Sequence, residues 1–173
     1  MTTTNINYSS ITAWTALSIT LASLASSSTL VTGRQSAVID NTSTKYDDII
    51  ITGQVMAGTT PTAGLIVAYL FEPIGLASST FTYPQAGTTA LVETDAAATF
   101  AAEQRNGAIN LFASIVTNAT SNEPYTFACS VNAILGRTPE KVGIFIAHST
   151  VAVLNATAGN HWVQWYGIKH DAA

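Results

Sequence analysis

The residues able to do chemistry are few, and their spacing does not bring them together. The three histidines all fall late, at His148, His161 and His170, and Cys129 is the only cysteine. A hydrolase needs a nucleophile, a base and an orienting acid in one place. Ser149 follows His148 directly, but neighbours on a strand or turn point apart, and no Gly-x-Ser-x-Gly elbow occurs. His161 and His170 lie nine residues apart, which on one regular strand puts them on opposite faces. Asp40, Asp47 and Asp48 flank a polar turn without the alternating acids, glycine and closing Glu of a calcium loop. Glu72, Glu93, Glu103 and Glu123 supply carboxylates, yet no spacing singles out a glycosidase pair. A lone cysteine within Phe127-Ala128-Cys129-Ser130-Val131 forms no intrachain disulfide and reads as a small buried apolar residue. The expectation is a chain that is not an enzyme and holds no metal and no cofactor.

Two places carry residue types suited to recognition instead. Arg34, in Gly33-Arg34-Gln35-Ser36, is the first charge in the chain and sits in a neutral neighbourhood. A guanidinium placed so sparsely has a defined partner, because its planar fork pairs with a carboxylate or with backbone oxygens. That partner is either internal, Asp40 or Asp47, or lies across a subunit interface. The second place is the strand His161 to His170. Trp162, Tyr166 and Ile168 share one of its faces, and Val163 and Trp165 the other. One face belongs to the core. The other presents a large aromatic to a subunit contact, to further core, or to a sugar ring.

Composition points the same way. Only 9% of residues are charged, against 47% hydrophobic, and the net charge is −4. Soluble domains average about a quarter charged residues. A surface this neutral favours association. No basic patch exists, which argues against nucleic acid. Leu17 to Val31 is fairly apolar, but the first basic residue, Arg34, comes after it rather than before, so it is not a secretory signal, and its serines and threonines interrupt any membrane span. Synthesis in a cytosol without a classical export address is the expectation. The Asn-x-Ser/Thr sites at Asn7, Asn41, Asn118 and Asn155 then read as by-products of a Thr-rich composition.

These side chains must be positioned mainly by strands. Residues 1–10 read as a flexible N-terminal arm, and residues 11–173 as a single domain. Leu17, Ile19 and Leu21 alternate with polar or small residues, as a strand does. Ile49-Ile50-Ile51 and Leu65 to Phe71 are apolar on consecutive positions, so both of their faces should be covered. Residues 73–89 read as a long loop or a weakly paired excursion. One short helix is expected near 96–106, with Asp95 capping it and Gly107 closing it. Val142, Ile144 and Ile146 share a strand face, and Val151 and Val153 form a second strand after a short connection. The fold class is all-β, an antiparallel β-sandwich of jelly-roll type.

The stretch from Gly33-Arg34-Gln35-Ser36 through Asp40-Asn41-Thr42 and Tyr46-Asp47-Asp48 resembles the opening of a family of tailed-bacteriophage virion proteins. Its ending is similar to Thr138-Pro139-Glu140-Lys141-Val142-Gly143-Ile144-Phe145-Ile146, then Leu154 to His161, then Tyr166-Gly167-Ile168. The resemblance runs from Gly33 to about Ile168 and carries no catalytic signature. It implies a capsid decoration, or cement, protein: a β-sandwich that assembles as a homotrimer on the head surface and binds the major capsid protein. Residues 72–99 have no counterpart in it. The candidate interface residues are Thr2, Thr3, Thr4 and Asn5 of the arm, with Arg34, Trp162, Trp165 and Tyr166. The alternative is a receptor- or glycan-binding virion module, with Phe81 and Tyr83 supplying exposed aromatics.

Overall fold

The computed structural model describes residues 6–7, 13–77, 80–86, 89–169 and 171–172. Two antiparallel sheets face each other. The smaller has the order β13 (Pro124–Ser130), β5 (Asp48–Met56), β15 (Trp162–Ile168), β2 (Thr15–Ala16). The larger runs β11 (Ala96–Thr99), β3 (Thr32–Gln35), β14 (Lys141–His148), β6 (Gly64–Phe71), β12 (Asn110–Thr117), with β4 (Ile39–Asp40) beside the start of β14. Set β4 and β11 aside and number the remaining eight strands along the chain. The sheets then read 1-8-3-6 and 2-7-4-5, the strand order of a jelly roll. Three two-stranded ribbons complete the structure: β1 (Ile6–Asn7) with β16 (Asp171–Ala172), β7 (Gly75–Ala77) with β8 (Thr80–Thr82), and β9 (Gln85–Ala86) with β10 (Thr89–Ala90).

The core between the sheets follows from alternation. Ile49, Ile51 and Val55 of β5 meet Ile66, Leu70, Ile144 and Ile146 of the larger sheet. β6 and β14 are buried on both faces, as consecutive apolar positions require. Their outer face is covered by Tyr83, Leu91, Phe100 and Ile109 of the same chain, packed on Tyr69, Phe71 and Phe145. The segment without a counterpart in the resemblance thus supplies part of this cover, through Tyr83, Leu91 and Ala98.

Several expected elements differ. Ala96–Thr99 is a strand paired with β3, and the helix, α1, spans Ala102–Ala108. Alanine-rich helix propensity is worth only tenths of a kcal/mol per residue, less than an open sheet edge offers. Leu17 to Val31 forms no strand beyond Thr15–Ala16. It is an irregular connection in which Leu17 and Leu21, four apart, are buried. Val151 and Val153 lie in a loop, not a strand. A second helix, α2 (Val131–Leu135), follows β13; the Ser130 hydroxyl accepts the Ala133 N–H at its start and Gly136, with φ 71°, closes it. β5 departs from the expectation of two covered faces, since its burial alternates strictly and Ile50, Thr52 and Gln54 face outward, half-buried.

Candidate functional site

Arg34 finds its partner inside the chain. Its Nε lies 2.5 Å from Asp95 Oδ1, and the other carboxylate oxygen accepts the Thr20 hydroxyl. The partner is neither Asp40 nor Asp47, and Asp95 caps no helix because it is spent on this contact. Burial pushes the Asp95 carboxyl upward, but the hydrogen bonds from Arg34 and Thr20 outweigh it and hold the group below its ordinary range. The Asp95 hydrogen bond likewise holds the guanidinium above its own, against burial. The pair ties β3 to the segment before β11. Asp95→Ala should cost about 2 kcal/mol of stability by leaving the guanidinium without its carboxylate, read as a lower urea midpoint at unchanged slope.

The strand face reading holds for β15. Val163 is buried and Trp165 packs inward, edge-on to Tyr46 with ring centroids 6.0 Å apart. Trp162 and Tyr166 point to the other side, where Trp14 stands edge-on to Tyr166 at 4.5 Å. Trp14 is 49% exposed and Trp162 37%. Trp14 was not a sequence candidate. The signal for it is the pairing of Thr15–Ala16 with Gln164 and Trp165, which sequence alone does not reveal.

These aromatics sit on the outer face of the smaller sheet. Register places Trp162 opposite Gln54, Gln164 opposite Thr52, and Tyr166 opposite Ile50, with Thr126 and Ala128 of β13 alongside on the same face. This stretch carries no charge until Asp48, whose carboxylate accepts from Ser130 and from the Ile49 and Asn132 backbone N–H groups. Among the described residues, the sandwich thus has one sheet lidded by its own chain and one whose largely neutral, aromatic outer face has no lid. Apolar surface of this kind marks contact sites.

Thr2, Thr3, Thr4 and Asn5 lie outside the described residues. Ile6–Asn7 pair with Asp171–Ala172, so this part of the expected arm is a strand. Tyr83 is buried edge-on against Phe71 and donates to Glu93, which removes it as an exposed aromatic; the side chain of Phe81 lies outside the described residues. A cavity of about 350 Å³ lies between Glu72–Gly75 and Arg137–Glu140, with Arg137 paired to Glu72 at 2.7 Å. Among the described residues no three of His, Cys, Asp or Glu gather as a metal site needs, and no helix is long and apolar enough to cross a membrane. Cys129 is half-buried, its thiol pushed up to about 12 by burial and by the charge of Asp48.

His148 and His161 are structural, and His170 lies outside the described residues. His161 Nδ1 accepts the Met56 N–H and its Nε2 donates to Asn155 O. His148 Nε2 donates to Leu24 O, and its Nδ1 faces the Thr150 hydroxyl. Burial drives both imidazoles below their ordinary value, against the backbone acceptors. The unfolded chain therefore takes up protons at a pH where the native one does not. Stability should be full above about pH 6.5, the ordinary histidine value, and decline as pH falls below it. Urea midpoints across that range check this, and His148→Gln should flatten the profile.

No protein family, curated protein or solved structure matches this chain. Jelly rolls serve capsid, lectin and enzyme roles alike, so the fold by itself assigns none.

Proposed function

We propose that this chain is a capsid decoration protein of a tailed bacteriophage, which binds the outer surface of the head and bridges subunits of the major capsid protein. The observation that carries the reading is the unlidded outer face of the smaller sheet. It is set with Trp14, Trp162 and Tyr166 and carries no charge short of Asp48 at its end, so docking it removes apolar area from water while stripping few ions of their hydration. Many copies acting on one shell need only modest affinity each.

The segments that carry the family resemblance support the reading in a second way, because they pack on one another. The Asn41 side chain accepts from Tyr46 N–H and donates to the Tyr46 and Pro139 carbonyls, and Thr138 donates to Asp47 O. Tyr46 in turn fills the space beside Gly167, where an added Cβ would lie 2.3 Å from its ring. A shared pattern at these positions is a shared way of pinning β15 and its outward aromatics.

In this reading Trp162 and Tyr166 contact coat protein, Trp165 and Arg34 hold the domain together, and the copies assemble as a homotrimer on the virion surface after synthesis in the host cytoplasm. Co-sedimentation with shells of the cognate major capsid protein, before and after expansion, tests it. Saturable binding to expanded shells at a fixed ratio is expected. No binding to either form, combined with consistent signals on a glycan array, would move the aromatic face to a receptor-binding role.

A further inference from the structure

Two buried imidazoles stand at the end of the sandwich where β5 stops and β6 starts, and their partners bind them to different rules. His161 touches main chain with both ring nitrogens. Its Nδ1 lies 3.3 Å from the Met56 nitrogen and its Nε2 2.8 Å from Asn155 O. An amide N–H only donates and a carbonyl only accepts, so the ring is held neutral with its proton on Nε2. The Asn155 N–H returns to Met56 O at 3.2 Å, and the Ser23 N–H also reaches Asn155 O. The imidazole is thus a clasp between the last residue of β5 and the connection after β14. The segment it holds, residues 153–157, faces Gly58 and Thr59 across a cavity of about 190 Å³.

His148 is built the other way. Its Nε2 donates to Leu24 O at 3.0 Å, but its Nδ1 meets a hydroxyl, that of Thr150, also at 3.0 Å. A hydroxyl both donates and accepts. Against the neutral ring it donates to Nδ1. Against an imidazolium it accepts from Nδ1 and turns its own proton to Ala152 O, 3.2 Å away. His148 therefore keeps both partners in either state. A second proton on His161 instead sets one N–H against another, and leaves the Met56 donor without an acceptor.

Few other ionisable groups stand near this clasp. Residues 17–31, 57–63 and 149–160 contain none. Residues 118–123 bring Glu123, whose carbonyl accepts the Ala57 N–H, and the Tyr125 hydroxyl of β13 donates to Asn118. β14 ends in His148, and α1 brings the Arg105 guanidinium to the Thr29 and Leu30 carbonyls. Burial rather than a neighbouring charge drives the His161 value down, opposed by its bond to Asn155 O.

We propose that His161 is an acid-operated latch: proton uptake at its Nδ1 breaks the Met56 contact and frees residues 153–160 from the end of β5, whereas proton uptake at His148 leaves its connections in place. The opening is local, as histidine switches allow when one contact changes sign. It stands apart from whatever the aromatic face of the smaller sheet binds.

Amide hydrogen exchange on the full chain, followed by NMR between about pH 7.5 and about pH 5, tests it. Dividing out the intrinsic exchange rate gives the opening constant of each amide. A latch that opens with one proton, and whose free imidazole has the ordinary value of about 6.5, should raise the constants of Met56 and Asn155 roughly 30-fold at the acid end. His161→Gln keeps a donor for Asn155 O but does not titrate, and should abolish this dependence. His148→Gln should leave it in place. Nitrogen shifts of the wild-type imidazole at neutral pH need no variant, and should show His161 protonated on Nε2 alone. Opening constants that ignore pH, a dependence that survives His161→Gln or vanishes with His148→Gln, or a neutral wild-type ring protonated on Nδ1 would each overturn the latch.

Discussion

Trp162→Ala should abolish most shell binding while leaving the free domain folded. Its ring stands on the outer face of the smaller sheet and contributes little to the core, so the cost to domain stability should stay below about 1 kcal/mol. At a docked interface the same ring is an anchor, and truncating such anchors costs about 2–4 kcal/mol, a loss of roughly 30- to 1,000-fold in affinity. Trp165→Ala is the contrasting variant on the same strand. Its ring packs inward against Tyr46, so about 3 kcal/mol should be lost from folding and the effect on binding should follow from the unfolded fraction. Denaturant melts beside shell titrations separate the two. Equal loss of stability in both variants would show that the outward face is not a free docking surface.

Gly33→Ala should destabilise the domain by about 3 kcal/mol, although it adds one carbon. A Cβ at this position would lie 2.1 Å from Ile146 O and 2.8 Å from the Phe145 ring. The first of these atoms is backbone in the centre of the larger sheet and cannot swing aside. The glycine is required by this close approach of β3 to β14, and β3 is the strand that carries Arg34 to Asp95. Loss of β3 would also free the Gln35 side chain, which donates to the Val92 and Thr94 carbonyls and so holds the lid segment down. Thermal unfolding followed by circular dichroism checks the prediction, and Gly75→Ala, where an added Cβ meets nothing within 4 Å, is the control.

The parts of the fold legible in the sequence were those governed by local periodicity. Val142, Ile144 and Ile146 alternate because β14 alternates, and the two faces of β15 separate Trp162 from Trp165 as a period of two demands. The parts that were not legible depend on distant partners. Asp95 looks like a helix cap from its neighbours, but its hydrogen bonds go to Arg34 and Thr20, 61 and 75 residues away. Val151 and Val153 alternate like a strand, yet the Val151 N–H donates to Ser26 Oγ and the Ala152 N–H to Thr150 O, which also accepts from Thr62, instead of a ladder. Ile49-Ile50-Ile51 reads as covered on both faces. The described residues cover one, and the proposed docking to coat protein rests on that mismatch. Trp14 joined the site only through the pairing of β2 with β15.

The most direct test of the central claim is an image reconstruction of expanded shells decorated with this chain. The account predicts that the smaller sheet lies against the shell, with Trp14, Trp162 and Tyr166 in contact with coat protein. A reconstruction in which that sheet faces solvent and the lidded sheet meets the shell would contradict it.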